Sequence, residues 1–308
     1  MAVSNALPRT EAIVDVAVGL DTKSDAEVLG ALLDGQRRGI ESVAAAIPAL
    51  SRAAHLGVAA LEAGGRLIYL GAGSPALMSL ADALELPQTY GIAYDRIVLI
   101  LADGKTIATR LNGVREDDVE GARADIHAAG VGLNDCVIAT SASGTTPYTV
   151  EGLRAARAAG AKTIGIAGNA GSPLLADADA DVAVHLDTGP EVISGSTRMG
   201  AGTAQKAALN MLSTLIGVRL NHVYDGLMVN VKADNDKLRG RATRIVTTIT
   251  GASAETAAFA LQQSDGEVKP AILIAAGARS LADAVTLLGA TKGNVRQALA
   301  ELSATPPQ

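Results

Sequence analysis

Cys136-Val-Ile-Ala-Thr-Ser-Ala-Ser-Gly-Thr-Thr-Pro147 decides the fold. Its first five residues form a short, nearly continuous apolar run, the pattern of a strand buried on both faces. A polar loop with one glycine follows over 141–146. Thr146 then suits the N-cap of a helix and Pro147 its first turn, where a missing N–H costs nothing. Strand, glycine loop and helix start, in that order, make a βα unit.

The same unit recurs on either side. Arg66-Leu-Ile-Tyr-Leu70, Ile97-Val-Leu-Ile-Leu101, Thr163-Ile-Gly-Ile-Ala167 and Val182-Ala-Val-His-Leu186 are further short apolar runs. Most are separated by segments of helical period, such as 116–129 and 147–159. The alternation predicts an α/β fold of three layers, a mostly parallel five-stranded sheet with helices on both faces. Such sheets collect ligands outside the carboxyl ends of their strands. Two strand ends lead into polar glycine loops, Gly71-Ala-Gly-Ser74 and 141–146. In the second, Ser143 and Thr145 are expected to set hydroxyls beside free backbone amides, for a phosphate, a sugar or only a well-capped turn. The lysine of a P-loop is missing, as is the third glycine of a dinucleotide fingerprint, so neither nucleotide site is indicated.

The flanks are helical. Apolar residues recur at three and four positions through Ala26-Glu-Val-Leu-Gly-Ala-Leu-Leu33 and 40–61, until Gly64-Gly65 breaks the pattern. Beyond about Val223 the strand pattern stops. Helices are expected over 255–262, 281–288 and 295–302, with starts at Ser253-Ala-Glu-Thr and Ser280-Leu-Ala-Asp and a frayed tail over 303–308. The organisation is an N-terminal helical segment over 1–63, a ligand-binding α/β domain over 64–223 and a C-terminal helical region over 224–308.

Composition narrows the function. Of the 308 residues 48% are hydrophobic, enough for a large core, but 2% are aromatic and Trp is absent. A net charge of -6 with so few stacking platforms excludes a nucleic-acid surface. No apolar run approaches the length of a bilayer span and the N-terminus lacks a signal pattern, so a soluble, cytoplasmic protein with no membrane partner is expected. The one cysteine, Cys136, excludes an intrachain disulfide and reads as a buried strand thiol. His55, His127, His185 and His222 show no ligand spacing, so no metal is indicated. Asp225, Asp234 and Asp236 could form a polar cluster, though not an EF-hand loop.

The richest stretch for chemistry is Gly189-Pro-Glu-Val-Ile-Ser-Gly-Ser-Thr-Arg-Met-Gly-Ala-Gly-Thr-Ala-Gln-Lys206, leading into the apolar helix of Asn210-Met-Leu212. Glycines let backbone approach an anion and a helix start offers it unpaired amides, which suits a polyol or phosphosugar pocket. Asp82 and Glu85 lie three apart on a predicted helix. Leu84, Leu86 and Pro87 around Glu85 are expected to desolvate it and raise its pKa towards acid catalysis, against a plain helix-end carboxylate. Glu116-Asp117-Asp118 reads first as acids that offset a helix dipole.

Gly65-Arg-Leu-Ile-Tyr-Leu-Gly-Ala-Gly73, Ser143-Gly-Thr-Thr-Pro-Tyr148, the block from Gly189 to Lys206 and Leu209-Asn-Met-Leu-Ser213 together resemble the N-acetylmuramic acid 6-phosphate etherases. These belong to the sugar isomerase (SIS) domain superfamily, alongside the glucokinase regulatory protein. The resemblance runs from about Arg9 to Leu302. It implies a SIS domain, a homodimer with sites near the subunit interface, and cofactor-independent removal of D-lactate from C3 of an amino sugar. It places the acid for the departing oxygen on Glu85 and the base for the C2 proton on Glu116. Oxygens of the sugar or its phosphate would be held by Ser74, Ser143, Gly144, Thr145, Thr146, Glu191, Ser194, Ser196, Thr197, Arg198 and Lys206. Two alternative readings on the same superfamily fold are a non-catalytic sugar-phosphate sensor that binds another protein, as the glucokinase regulatory protein does, and an aldose–ketose isomerase.

Some positions depart from the family pattern. Leu77, Thr145 and Gly200 stand where basic residues are usual, and the family's N-terminal motif survives only as Thr10-Glu11. The resemblance therefore implies a weakened grip on phosphate, with the reaction class retained.

Overall fold

The computed structural model describes residues 12–304 apart from 112, 177–178 and 233–235. Thr10-Glu11, Asp234 and the end of the tail lie outside the described residues. The chain opens with α1 (Asp25–Glu62) and continues through β1 (Leu67–Gly71), α2 (Gly73–Tyr90), β2 (Ile97–Leu101), α3 (Val119–Ala128), β3 (Cys136–Thr140), α4 (Pro147–Ala158), β4 (Lys162–Ala167), β5 (Val182–His185) and α5 (Gly200–Arg219). All five strands are parallel, in the order β2-β1-β3-β4-β5. Each expected strand is present within a residue or two.

Strand alternation sorts the core into two faces. Ile68, Leu70, Val137 and Ala139 pack with Ala122 and Ile126 of α3 and with Tyr148 and Leu153 of α4. That cluster holds no residue of α1, which packs along β1, β3, β4 and β5 and so covers the other face. Leu67, Ile68, Leu70 and Ile138 are fully buried, each worth about 1.5–3 kcal/mol relative to exposure. Cys136 is buried with them, and burial pushes its thiol up to about 12.

One continuous helix replaces the separate N-terminal segments expected from the sequence, and Pro48 lies inside it. An 18-residue window of α1 reaches a mean hydropathy of 1.4, so by length and composition it does match a bilayer span, contrary to the sequence expectation. The average comes from many alanines, with Glu41 and Arg52 interrupting any continuous run. One face of the helix is committed to the protein interior, with Gly39, Val43, Ala46, Leu50, Ala53 and Ala54 buried.

The chain forms two compact units. One comprises the chain up to Leu84 and Tyr94–Thr214; the other comprises Glu85–Ala93 and the chain from Leu215 onward. The second unit contains a small antiparallel hairpin, β6 (Val223–Tyr224) and β7 (Leu227–Met228). Five helices follow: α6 (Asp236–Thr250), α7 (Ala254–Gln263), α8 (Val268–Ala275), α9 (Leu281–Ala290) and α10 (Val295–Ala304). Ser253 and Ser280 cap α7 and α9 as expected, accepting from the amides of Thr256 and Asp283. Helices α6 and α8 were not anticipated. α6 is rich in β-branched residues, which favour strands, but Ala242, Ile245 and Val246 bury one helical face. α8 is short and buried over Val268, Pro270, Ala271, Ile272 and Leu273, so it carries no amphipathic signal.

Candidate functional site

β1 lies between β2 and β3, so the strand order reverses there. Parallel sheets open a crevice at such a switch point, beyond the carboxyl ends of the strands. Gly71 pairs with Thr140 at the last register position of β1 and β3. This sets the Gly71-Ala-Gly-Ser74 turn beside the 141–146 loop.

Glu116 enters the crevice from the turn before α3. Gly73 has φ +61°, and a β-carbon built there would stand 2.8 Å from Glu116 Oε1. The Tyr148 amide donates to the Glu116 carbonyl at 2.9 Å, tying this turn to the start of α4 just after the 141–146 loop. The carboxyl is half-buried, and burial, then the charges of Asp103 and Asp117, raise its pKa above the ordinary value. Its neighbour Asp118 fits the plainer expectation for this acidic run. Asp118 is the N-cap of α3, accepting from the Gly121 amide at 2.8 Å and from Arg115 at 3.1 Å. Glu116 does not cap the helix.

Glu85 lies in α2 and is exposed, as is Leu84 at 56%. The desolvation expected from its apolar neighbours is therefore not found, because Leu84 points outward. Glu85 and Glu116 belong to different compact units.

The 141–146 loop is hydrogen-bonded within itself. The Gly144 amide donates to Ser141 Oγ at 3.0 Å and the Thr145 amide to Ser143 Oγ at 3.2 Å. Thr145 Oγ1 donates to Ser143 Oγ at 2.8 Å. The amides expected to be free are thus engaged, and a ligand oxygen would replace hydroxyl partners. Thr146 holds the N-cap position, but its hydroxyl bonds Ser141 Oγ at 3.0 Å instead of capping α4. Gly144 has φ +76°, and a β-carbon there would meet Ser172 Oγ at 2.1 Å. That buried hydroxyl has no hydrogen-bond partner among the described residues.

Glu191, expected from the resemblance to hold substrate, is engaged within the protein. It is 4% exposed; Oε2 accepts from the Gly200 amide at 2.9 Å and Oε1 from the Ala201 amide at 2.8 Å. An internal carboxylate therefore takes the helix-start amides that a ligand anion would need. Ser74, Ser196 and Thr197 are half-buried, while Ser194, Arg198 and Lys206 are exposed. Arg198 and Lys206 meet in a groove of about 440 Å³ along α5, with Ile40, Met78, Thr203 and Asn210 in its walls.

Asp82 is the residue that sequence reasoning undervalued. It is 4% exposed in the body of α2 and accepts from Tyr69 Oη at 2.7 Å, Ser213 Oγ at 2.9 Å and the Asn210 amide. Burial, then the Asp82 charge, drives the Tyr69 phenol well above its usual range. The available signal was Asn210 and Ser213, polar residues three apart within the largely apolar stretch 207–218 of α5.

The SIS domain family matches residues 117–215. A protein of Deinococcus radiodurans called N-acetylmuramic acid 6-phosphate etherase is 44% identical over 294 residues, covering 95% of each chain. The chain belongs to the N-acetylmuramic acid 6-phosphate etherase family. A second etherase of that name, from Geobacillus thermodenitrificans, is 43% identical over 281 residues, or 91% of this chain and 94% of its own. A phosphoheptose isomerase from Francisella tularensis shares the fold, with a TM-score of 0.50 and 17% identity over 64% of this chain and 100% of its own.

Two of the three departures from the etherase pattern turn out to be packing positions. Leu77 packs against Ala76, Leu101 and Ile107. Gly200 is buried where α1 crosses α5: a β-carbon on it would lie 3.0 Å from the Gly35 carbonyl, and one on Gly39 only 2.3 Å from the Gly200 carbonyl. Only Thr145 is exposed, in the crevice loop.

Proposed function

We propose that this chain is an N-acetylmuramic acid 6-phosphate etherase, a lyase that releases D-lactate and leaves N-acetylglucosamine 6-phosphate. The observation that carries the reading is the Glu116 carboxyl, raised in pKa and held over the β1–α2 turn at the switch point. Elimination breaks the C2–H and C3–O bonds. Glu116 takes the C2 proton, the electron pair of that bond forms the double bond between C2 and C3, and Glu85 protonates the departing lactyl oxygen. Water then adds its hydroxyl to C3 and a proton to C2, so that one ether and one water become one alcohol and lactate. Ser74, Ser143, Gly144, Thr145, Thr146, Ser194, Ser196 and Thr197 hold sugar and phosphate oxygens, with Arg198 and Lys206 supplying positive charge.

The protein works as a homodimer. Leu29, Leu33, Ile40 and Ile47 are each at least half exposed and recur at four- and seven-residue intervals on one face of α1, a stripe suited to a second copy. It acts in the cytoplasm, where a charged sugar phosphate is retained. The deciding experiment incubates purified protein with N-acetylmuramic acid 6-phosphate and measures D-lactate. Stoichiometric lactate and N-acetylglucosamine 6-phosphate are expected; no lactate would return the chain to a sensor or an isomerase on the same fold.

A further inference from the structure

Arg198 and Lys206 line one groove, and neither forms an ion pair among the described residues. No carboxylate stands in the groove wall among the described residues. The nearest on this network is Asp82, set behind Asn210 and spent on Tyr69, Ser213 and Asn210. Two cations with no ion-pair partner among the described residues, in a groove otherwise walled largely by apolar side chains such as Ile40 and Met78, suit an anionic group.

The orientation of Asn210 links the buried carboxylate to the exposed cation. The Asn210 NH₂ faces Asp82 and donates to its Oδ1. The Asn210 carbonyl then faces the opposite way, and Lys206 Nζ donates to it. Tyr69 from β1 and Ser213 from α5 pin the far side of Asp82. The order from core to groove is Tyr69, Asp82, Asn210, Lys206.

We propose that Asp82 is a positioning residue for an anion subsite: through Asn210 it fixes the Lys206 ammonium in the groove, where Lys206 and Arg198 bind an anionic group of the substrate. This rests on the etherase reading, whose substrate carries two such groups, the 6-phosphate and the lactyl carboxylate. Asp82 itself touches neither. A carboxylate that served only to join α2 to α5 would leave substrate affinity alone, which separates the two roles.

The test compares the parent enzyme with Lys206→Met, Asn210→Leu, Asp82→Asn and the Asp82→Asn/Lys206→Met double variant, by lactate release and by thermal melting. Lys206→Met should raise KM about tenfold with kcat within about threefold, the pattern of lost uniform binding. Asn210→Leu, which leaves the Tyr69–Asp82–Ser213 bonds in place, should do the same. Asp82→Asn should raise KM, and adding it to Lys206→Met should raise KM no further, since both remove one interaction. The unphosphorylated sugar identifies the anion: a Lys206→Met effect that vanishes with it assigns the phosphate, and one that persists assigns the carboxylate. An unchanged KM in Lys206→Met, or fully additive effects in the double variant, would overturn the proposal. If the parent enzyme releases no lactate, the etherase reading fails by itself. The subsite is then judged by calorimetry with inorganic phosphate and D-lactate, where parent binding of either, lost in both Lys206→Met and Asn210→Leu, supports it and equal binding by parent and variants rejects it.

Discussion

The Glu116 carboxylate stands where a side chain on Gly73 would begin, its Oε1 2.8 Å from the position of that missing β-carbon. The glycine at the start of α2 therefore admits the carboxylate as well as permitting the left-handed turn at φ +61°. A side chain at 73 would displace the group that the proposed elimination needs as its base.

Because the base must be ionised, kcat/KM should fall on the acid side as Glu116 takes a proton. Burial, Asp103 and Asp117 raise its pKa, so the limb should lie above the ordinary value of 4.5. Asp103→Asn removes one of the two charges and should move the limb to lower pH. A limb that stays in place assigns the base elsewhere. For stability, the native carboxyl binds its proton more tightly than the unfolded chain does. The contribution of Glu116 therefore declines as pH rises from the ordinary value through the raised one.

Glu85→Gln should slow lactate release about 10²–10⁴-fold, the usual contribution of a general acid. Glu85 is exposed, so melting should hardly change. Release within about threefold of the parent rate, far short of that contribution, would remove Glu85 from the mechanism.

Glu191→Ala strands the Gly200 and Ala201 amides at the start of α5. Leaving such groups unsatisfied costs about 1–3 kcal/mol, which urea denaturation should register as a lower midpoint. A variant of parental stability with a raised KM would restore Glu191 as a substrate contact.

Thr145→Arg puts a cation in the exposed loop position where the family usually has one. A charge-assisted hydrogen bond of about 1.5–3 kcal/mol should raise the kcat/KM preference for the phosphorylated over the unphosphorylated sugar roughly 10- to 100-fold. Gly200→Lys should instead destabilise the protein, because its β-carbon crowds the Gly35 carbonyl. If Gly200→Lys folds normally and sharpens phosphate preference while Thr145→Arg does nothing, the assignment of the two positions is reversed.

Light scattering at micromolar concentration should give about twice the chain mass, as a closed two-fold dimer requires. Leu33→Glu with Ile47→Glu charges the α1 stripe and should yield monomers. A double variant that stays dimeric moves the interface off α1.

Short apolar runs made the strands legible, because a strand buried on both faces needs an apolar residue at nearly every position. The starts at Ser253 and Ser280 were legible because capping is local chemistry, and the start of α4 because Pro147 presets the first helical turn. The family motifs pointed to Glu116, but three adjacent acids look alike in sequence. Only the fold separates Asp118, which caps α3, from Glu116, whose carboxylate fills the space at Gly73. Likewise only the fold brings the two amides at the start of α5 onto Glu191 and closes Tyr69, Asn210 and Ser213 around Asp82. Periodicity, turns and caps are set by neighbours along the chain. Strand order, the switch point between β1 and β3, and the choice of which carboxylate loses its water depend on residues far apart in sequence, which only the tertiary structure brings together.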